Sequence, residues 1–410
     1  MNLNRTTALL ATLALPLATP ALAGFIDDSK ASLELRNHYL NRDFRQHGAA
    51  QSKAEEWAQG FTARISSGFT EGSVGVGLDA IGQLGVKLDS SRDRRGTGLL
   101  PFDPADKQPV DDYSELGLTA KLRAANSVLR LGTLQPQLPV VSYNDTRLLS
   151  STFQGGMLTS QEVDGLTLNG GRLTRVNLRD SSGRDDIGYG AANSDAFDFA
   201  GGTYAISPQL AASYYYGKLD DIYRQQFVGL VHSLPLPGGF SLKSDLRYFD
   251  SRGDGAARAG RIDNRNLNAM FSLSQGGHRI SAAFQRMSGS SAFPFLNGGD
   301  PYVVNLVTYN TFTRAKEDAW QLRYDYDFAA VGLPGLSFMT RYVDGRNAKT
   351  ASGDHGEEWE RDSDLAYVIQ GGALKGLSLR WRNVTFRSGN GLSTDLDENR
   401  LILGYTLALW

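Results

Sequence analysis

From Ser32 to its last residue the chain alternates, in a way that few folds tolerate. In the clearest stretch Trp320, Leu322, Tyr324, Tyr326 and Phe328 hold one parity, and Gln321, Arg323, Asp325 and Asp327 hold the other. Side chains of a strand point to opposite faces with period two, so this strand has one oily face and one charged face. Burying unpaired charge is expensive, so the charged face must meet water. The same alternation runs through 57–66, 74–79 and 116–123. At the C-terminal end Leu377, Leu379 and Trp381 oppose Ser378, Arg380 and Arg382, and Leu401, Leu403, Tyr405, Leu407 and Leu409 oppose Arg400, Gly404, Thr406 and Ala408. Ile402 is the one large apolar exception in that last run, and the chain stops on Trp410.

The connectors alternate too. Short ones at 70–72, 125–126, 161–165, 207–208, 235–238, 275–277, 329–334 and 372–376 interleave with mostly longer, polar ones at 43–55, 90–112, 135–155, 179–195, 218–221, 251–263, 288–317, 345–361 and 388–397. These divide the chain into eighteen strands. The run 303–313 would pass for a nineteenth. Its parity is poor, and an even count returns both termini to one side, so it is assigned to the long connector 288–317, which is expected to fold back on the barrel. Short turns on one rim, long loops on the other and an even antiparallel count predict an all-β fold, a transmembrane β-barrel of the outer membrane. In lipid every backbone polar group must be paired within the protein, so a spanning sheet has to close. The competing arrangement is a soluble all-β array with its apolar faces inward. The unequal connectors, the aromatic terminal strand and the leader favour the barrel.

That leader occupies residues 1–23. Arg5 gives a basic start, 8–17 is apolar, and Ala21-Leu22-Ala23 forms a small-x-small cleavage site before Gly24, the pattern of a secretory signal peptide cleaved after Ala23. The barrel is then 24–410. The remainder has no apolar run of about 18 residues, so no membrane helix is expected. Without cysteine there is no disulfide framework or thiolate metal site, and a net charge of −2 gives no basis for nucleic-acid binding. The five histidines are scattered, none paired at ligand spacing, and G-x-S-x-G and H-E-x-x-H are both absent. The expectation is a channel with no enzymatic activity, no cofactor and no metal. A hydrolase carried on the barrel is the reading from another class.

Longer motifs carry a resemblance. The run from Phe25-Ile26-Asp27-Asp28-Ser29 to Asn37 resembles the mature N-terminus of the porin D (OprD-type, Occ) family of substrate-selective outer-membrane channels. Leu138-Pro139-Val140-Val141-Ser142-Tyr143-Asn144-Asp145-Thr146-Arg147, continuing to 156, resembles that family's constriction loop. Runs at 214–221, 293–300 and 356–367 extend the likeness over essentially the whole chain. The resemblance implies an eighteen-stranded barrel with its third long loop folded inward and a ladder of arginines on one wall. It implies a location in the outer membrane of a Gram-negative bacterium, as a monomer or loose trimer whose partners are outer-membrane lipid and small anionic organic solutes. The features at 300–305 and the compact loops are more similar to the branch taking cyclic or aromatic carboxylates than to the branch taking basic amino acids.

The residues support this chemistry. An eighteen-stranded pore is too wide to select small nutrients unless loops fill it, and 135–156 is the natural plug. Pro136 and Pro139 stiffen its start, and Tyr143, Asn144, Asp145 and Arg147 offer polar groups to a narrow passage. Arg147 is either an ion-pair partner for Asp145 or, as the family motif implies, a constriction arginine. With the apolar parity facing lipid, the water side collects Arg36 and Arg42 on the first strand, Arg380 and Arg382 on the seventeenth, and Arg400 on the eighteenth. Barrel closure makes the first and last strands neighbours, so these five form one patch. Stacked along the axis, they would hand a carboxylate from one bidentate contact to the next, each site weak enough to release it. The opposing reading pairs them with Glu34, Asp364 and Glu398, acids that are few for five arginines. Arg130 also has lumen parity, Arg179 would join through its loop, and Asp300 is either a solute contact or a turn cap. Asp79, Asp325 and Asp327 are expected to form an acidic opposite wall. The function predicted is a passive porin for small carboxylates, against a basic amino-acid channel, a general diffusion porin or the hydrolase.

Overall fold

The structure, a computed structural model, describes residues 23–46, 51–351 and 353–410. The leader expected at 1–23 therefore lies outside the described residues, Ala23 apart. The barrel strands are β1 (Lys30–Phe44), β2 (Lys53–Ser66), β3 (Val74–Asp89), β4 (Asp112–Ala124), β5 (Ser127–Leu134), β6 (Thr152–Val163), β7 (Leu166–Asn177), β8 (Phe197–Ser207) and β9 (Leu210–Leu219). They continue as β10 (Tyr223–Leu236), β11 (Phe240–Gly253), β12 (Asp263–Gln275), β13 (His278–Gly289), β14 (Asp318–Asp327), β15 (Leu336–Thr350), β16 (Gly353–Val368), β17 (Ser378–Ser388) and β18 (Leu396–Ala408). Each pairs antiparallel with its neighbours. β18 pairs back onto β1 from Ser32↔Ala408 to Phe44↔Leu396, which closes the cylinder. Closure removes every sheet edge, which a lipid-exposed sheet requires.

The eighteen strands match the number expected, and 303–313 is loop. One connector was misjudged. The expected loop at 345–361 is strand over nearly all its length, because β15 runs to Thr350 and β16 starts at Gly353. Its charged residues belong to a strand: Glu358, Glu360, Asp362 and Asp364 alternate inward and are buried, while Trp359 and Arg361 face out.

The two faces divide as the parity requires. On β14 the lipid-facing Trp320 and Leu322 are 45% and 54% exposed, while Gln321 between them is 2% exposed. The interior is not one medium. On the side of β5–β12, Phe153, Phe197, Phe227 and Phe249 form an apolar cluster with Val140, Val141, Phe293 and Leu296 from two inward loops. Each such side chain withdrawn from water contributes about 1.5–3 kcal/mol. The side formed by β15–β18, β1 and β2 stays polar, and the arginines stand there.

The loop 290–317 does fold back into the lumen. Its backbone bonds to inward side chains of the wall: Val304 N to Asn268 Oδ1 at 3.0 Å, Tyr309 N and Asn310 N to Glu360 at 2.8 Å each, and Thr308 N to Asp362 Oδ2 at 3.3 Å. Buried amides and carboxylates on the wall thus satisfy the backbone of a segment without secondary structure of its own.

Candidate functional site

The loop 135–151 crosses the lumen and is held at both sides. Val140 sits over Gly217 of β9, where an added Cβ would lie 3.0 Å from the valine Cβ, and Leu148 sits over Gly60 of β2, where the corresponding distance is 3.1 Å. Only a residue without a side chain lets the loop come this close to the wall at these two places. Leu148 and Leu149 are buried with Leu40, Ala58, Leu99, Leu100 and Tyr113. Gln83 of β3 bonds Ser150 both ways, donating to its carbonyl at 3.0 Å and accepting from its amide at 3.1 Å.

Between these anchors the tip presents polar groups. Asn144 Oδ1 accepts from Thr146 N at 3.0 Å and from Arg179 Nη1 at 2.9 Å, and Asn144 Nδ2 donates to Asp300 Oδ1 at 2.7 Å. Asp300 N donates to Ser142 O at 2.9 Å. Asp300 therefore fastens the long loop to the constriction loop, which neither of the two readings of this residue described. Burial pushes its carboxyl up to about 6, with Arg179 and Arg147 pulling the other way. Asp145 receives Arg36 Nη1 at 2.8 Å, and the same guanidinium donates to Arg147 O at 2.7 Å.

Arg147 does not pair with Asp145. Its Nε donates to Thr97 O at 3.0 Å, so the second long loop also helps build the narrowing. Burial pushes Arg147 down, and the charges of Arg400 and Arg179 add to that; burial also pushes Arg179 down. Neither arginine makes an ion pair among the described residues. A cavity of about 180 Å³ opens beside Arg179, Asn144 and Asp180.

The five arginines of the patch are brought onto adjoining strands, and all five are paired. Arg42 reaches Glu398 Oε2 through Nε at 2.8 Å and Nη2 at 2.7 Å, and Arg400 Nε reaches Glu398 Oε1 at 2.6 Å. Arg382 and Arg380 share Asp364 at 2.6 and 3.3 Å. Arg36 takes Glu34 at 2.7 Å as well as Asp145, and Arg64 also bonds Glu34, at 3.1 Å. Six guanidiniums share four carboxylates, so the expectation that the acids were too few to engage every arginine is corrected: one carboxylate serves two arginines. The set is not uniform either. Arg400 is 1% exposed and donates to Thr308 O at 2.8 Å, and Arg42 lies 5.0 Å over the Tyr309 ring. The long loop covers both. Arg380 and Arg382 line an open cavity of about 600 Å³ with Arg279, Arg323 and Arg341.

The acidic opposite wall does not form. Asp79 pairs with Lys121 at 2.6 Å, Asp325 with Arg323 at 2.6 Å, and Asp327 caps the turn after β14 by accepting from Ala329 N at 2.9 Å. Arg130 makes no ion pair among the described residues and faces, with Arg64, Thr119 and Gln135, a cavity of about 670 Å³. Sequence reasoning passed over Arg64 and Arg323, both on lumen parity in runs already read as strands, so parity alone would have found them. It also passed over His38, which lies between Arg36 and Arg42, fully buried and with neither ring nitrogen bonded among the described residues.

Comparisons with known proteins agree with this geometry. Residues 23–409 match the family described as outer membrane porin, OprD family. The chain is 39% identical to the porin-like protein GalP of Pseudomonas putida over 97% of this chain and 96% of that one. Among solved structures, OccK9 (OpdG) of Pseudomonas aeruginosa superposes with a TM-score of 0.92 at 50% identity, over 94% of this chain and all of that one. OpdK of the same organism, solved with vanillate, superposes with a TM-score of 0.89 at 40% identity, over 94% and 100%.

Proposed function

The chain belongs to the OprD family of outer-membrane porins, so it is a channel of the Gram-negative outer membrane and not an enzyme, and from that premise we propose that it is a passive channel selecting small carboxylates, cyclic and aromatic acids foremost. The observation that carries this reading is the charge at the constriction. Arg147 at the end of the Tyr143–Arg147 tip and Arg179 beside it make no ion pair among the described residues, although Asp180 and Asp300 stand nearby, so a solute carboxylate finds guanidinium groups that no protein carboxylate holds. The likeness to OpdK, a relative solved with vanillate, supports an aromatic acid as that solute. From the constriction the anion meets Arg382 and Arg380, whose shared Asp364 leaves positive charge in excess. Many partly satisfied sites in series favour passage over trapping. The leader at 1–23 would direct export, with the mature chain starting at Gly24.

The test is uptake into proteoliposomes of benzoate, vanillate, arginine and a neutral benzamide of equal size. The carboxylates should enter at least several-fold faster than benzamide. Replacing Arg147 and Arg179 by Gln should remove about tenfold of that preference, the equivalent of roughly 1.4 kcal/mol, with benzamide unchanged. Equal rates for benzoate and benzamide in the parent would point to a general diffusion porin, and faster arginine to the basic amino-acid branch.

A further inference from the structure

The outward face of β9–β12 changes character abruptly near its extracellular end. Tyr214, Val228, Tyr248 and Leu267 stand opposite one another on successive strands, and each is more than 40% exposed, as a lipid-facing row should be. Two residues higher the row is Tyr216, Gln226, Asp250 and Arg265, and two higher again it is Lys218, Arg224, Arg252 and Asp263. Each step is about 7 Å along a strand. Apolar and aromatic surface thus gives way to charge over the depth of a lipid headgroup, as at the aromatic girdle of a barrel.

The uppermost row is unbalanced. Lys218, Arg224 and Arg252 are direct cross-strand neighbours, and like charges in that relation repel. Lys218 is compensated by Asp220 at 2.9 Å and Asp254 at 3.5 Å, and Arg252 by Asp250 at 2.7 Å and by Asp263. Arg224, between them, is exposed and has no ion pair or hydrogen bond among the described residues, and the same is true of Arg265 one row below. Three other exposed arginines near the outer rim have acids of their own: Arg172 with Asp198 at 2.6 Å, Arg286 with Asp318 at 2.7 Å, Arg346 with Asp344 at 2.8 Å.

We propose that Arg224 and Arg265, flanked by Lys218 and Arg252, form a docking site for the phosphate-bearing headgroup of an outer-leaflet glycolipid. The charge calls for an anion with several acceptor oxygens, since guanidinium forks grip phosphate bidentately. The exposed apolar row directly below calls for acyl chains on the same molecule, which a free anion does not have. The interaction belongs to the lipid-facing surface and is independent of what passes through the lumen.

The test uses the purified full barrel in detergent micelles with diphosphoryl lipid A, and with the same lipid dephosphorylated. Native mass spectrometry reads the bound fraction. The phosphorylated lipid should bind about tenfold more tightly, and Arg224→Gln with Arg265→Gln should abolish that difference, while Arg224→Lys with Arg265→Lys retains most of it. Single-channel conductance, which also reports correct folding, should not change in either variant. Equal binding of the two lipids by the parent barrel would overturn the proposal without recourse to any variant, as would full retention of phosphate-dependent binding in the Gln variant.

Discussion

Arg400 and Arg380 have the same parity on neighbouring strands, and both sit beside a carboxylate, yet they occupy different media. Arg400 is sealed beneath the long loop, its guanidinium divided between Glu398 and the Thr308 carbonyl. Arg380 lines an open cavity, its side chain 48% exposed, with Asp364 at 3.3 Å. Whether an inward arginine holds the barrel together or meets a solute is decided by what the loops cover. The upper pair, Arg42 and Arg400, anchors a loop, and the lower pair, Arg380 and Arg382, remains available to a passing anion.

The largest effect that separates the two should come from Arg400→Ala. It strips a buried carboxylate of one partner and frees a loop carbonyl, and breaking a buried pair from one side costs about 3–5 kcal/mol. Thermal unfolding in detergent should fall clearly, and the loop 290–317 should become sensitive to protease. Arg380→Ala should change stability by less than about 1 kcal/mol, because exposed pairs contribute little. Equal melting temperatures for the two variants would remove the distinction.

The second effect concerns transport. Replacing Arg380 and Arg382 together by Gln should lower carboxylate uptake by roughly tenfold, the scale of one lost charge-assisted contact, while neutral solutes pass as before. Arg42→Gln, if it folds, should cost stability and leave selectivity nearly unchanged. A loss of neutral uptake alongside carboxylate uptake would mean that the lower arginines also hold the wall in shape.

This contrast marks the limit of what the sequence disclosed. Period two and unequal connectors were enough to count the strands, and parity was enough to place the five arginines on one wall. The same parity could have warned that Glu358, Glu360 and Asp362 face inward, but a run of charges after Asn347 and Lys349 reads as a solvated loop. Those carboxylates are held inside by residues 308–310 and by Arg314 and Arg341, and no local pattern announces a contact made fifty residues away. The constriction was legible in part. Its polar tip was evident, but its seating on Gly60 and Gly217 and its link to Asp300 depend on strands far apart in sequence.

The smallest effect should be a dependence on pH, and it tests the joint between the two inward loops. Asp300 is held to Asn144 at 2.7 Å beside Arg179, and burial raises its carboxyl to about 6. Below that value it is mostly neutral and no longer offsets Arg147 and Arg179. Above it, a negative charge appears at the constriction and offsets part of theirs. Preference for carboxylate over neutral solute should therefore fall by a few-fold between pH 5 and pH 7.5, centred near 6, for acids already ionised across that range. Arg380 and Arg382 pair with Asp364 and not with Asp300, so variants there should lower the whole curve without moving its midpoint. Asp300→Asn should flatten the curve at its acidic level while keeping the amide contact to Asn144. A midpoint that persists in Asp300→Asn would assign the titration to another group and leave Asp300 as a fastening between the loops and nothing more.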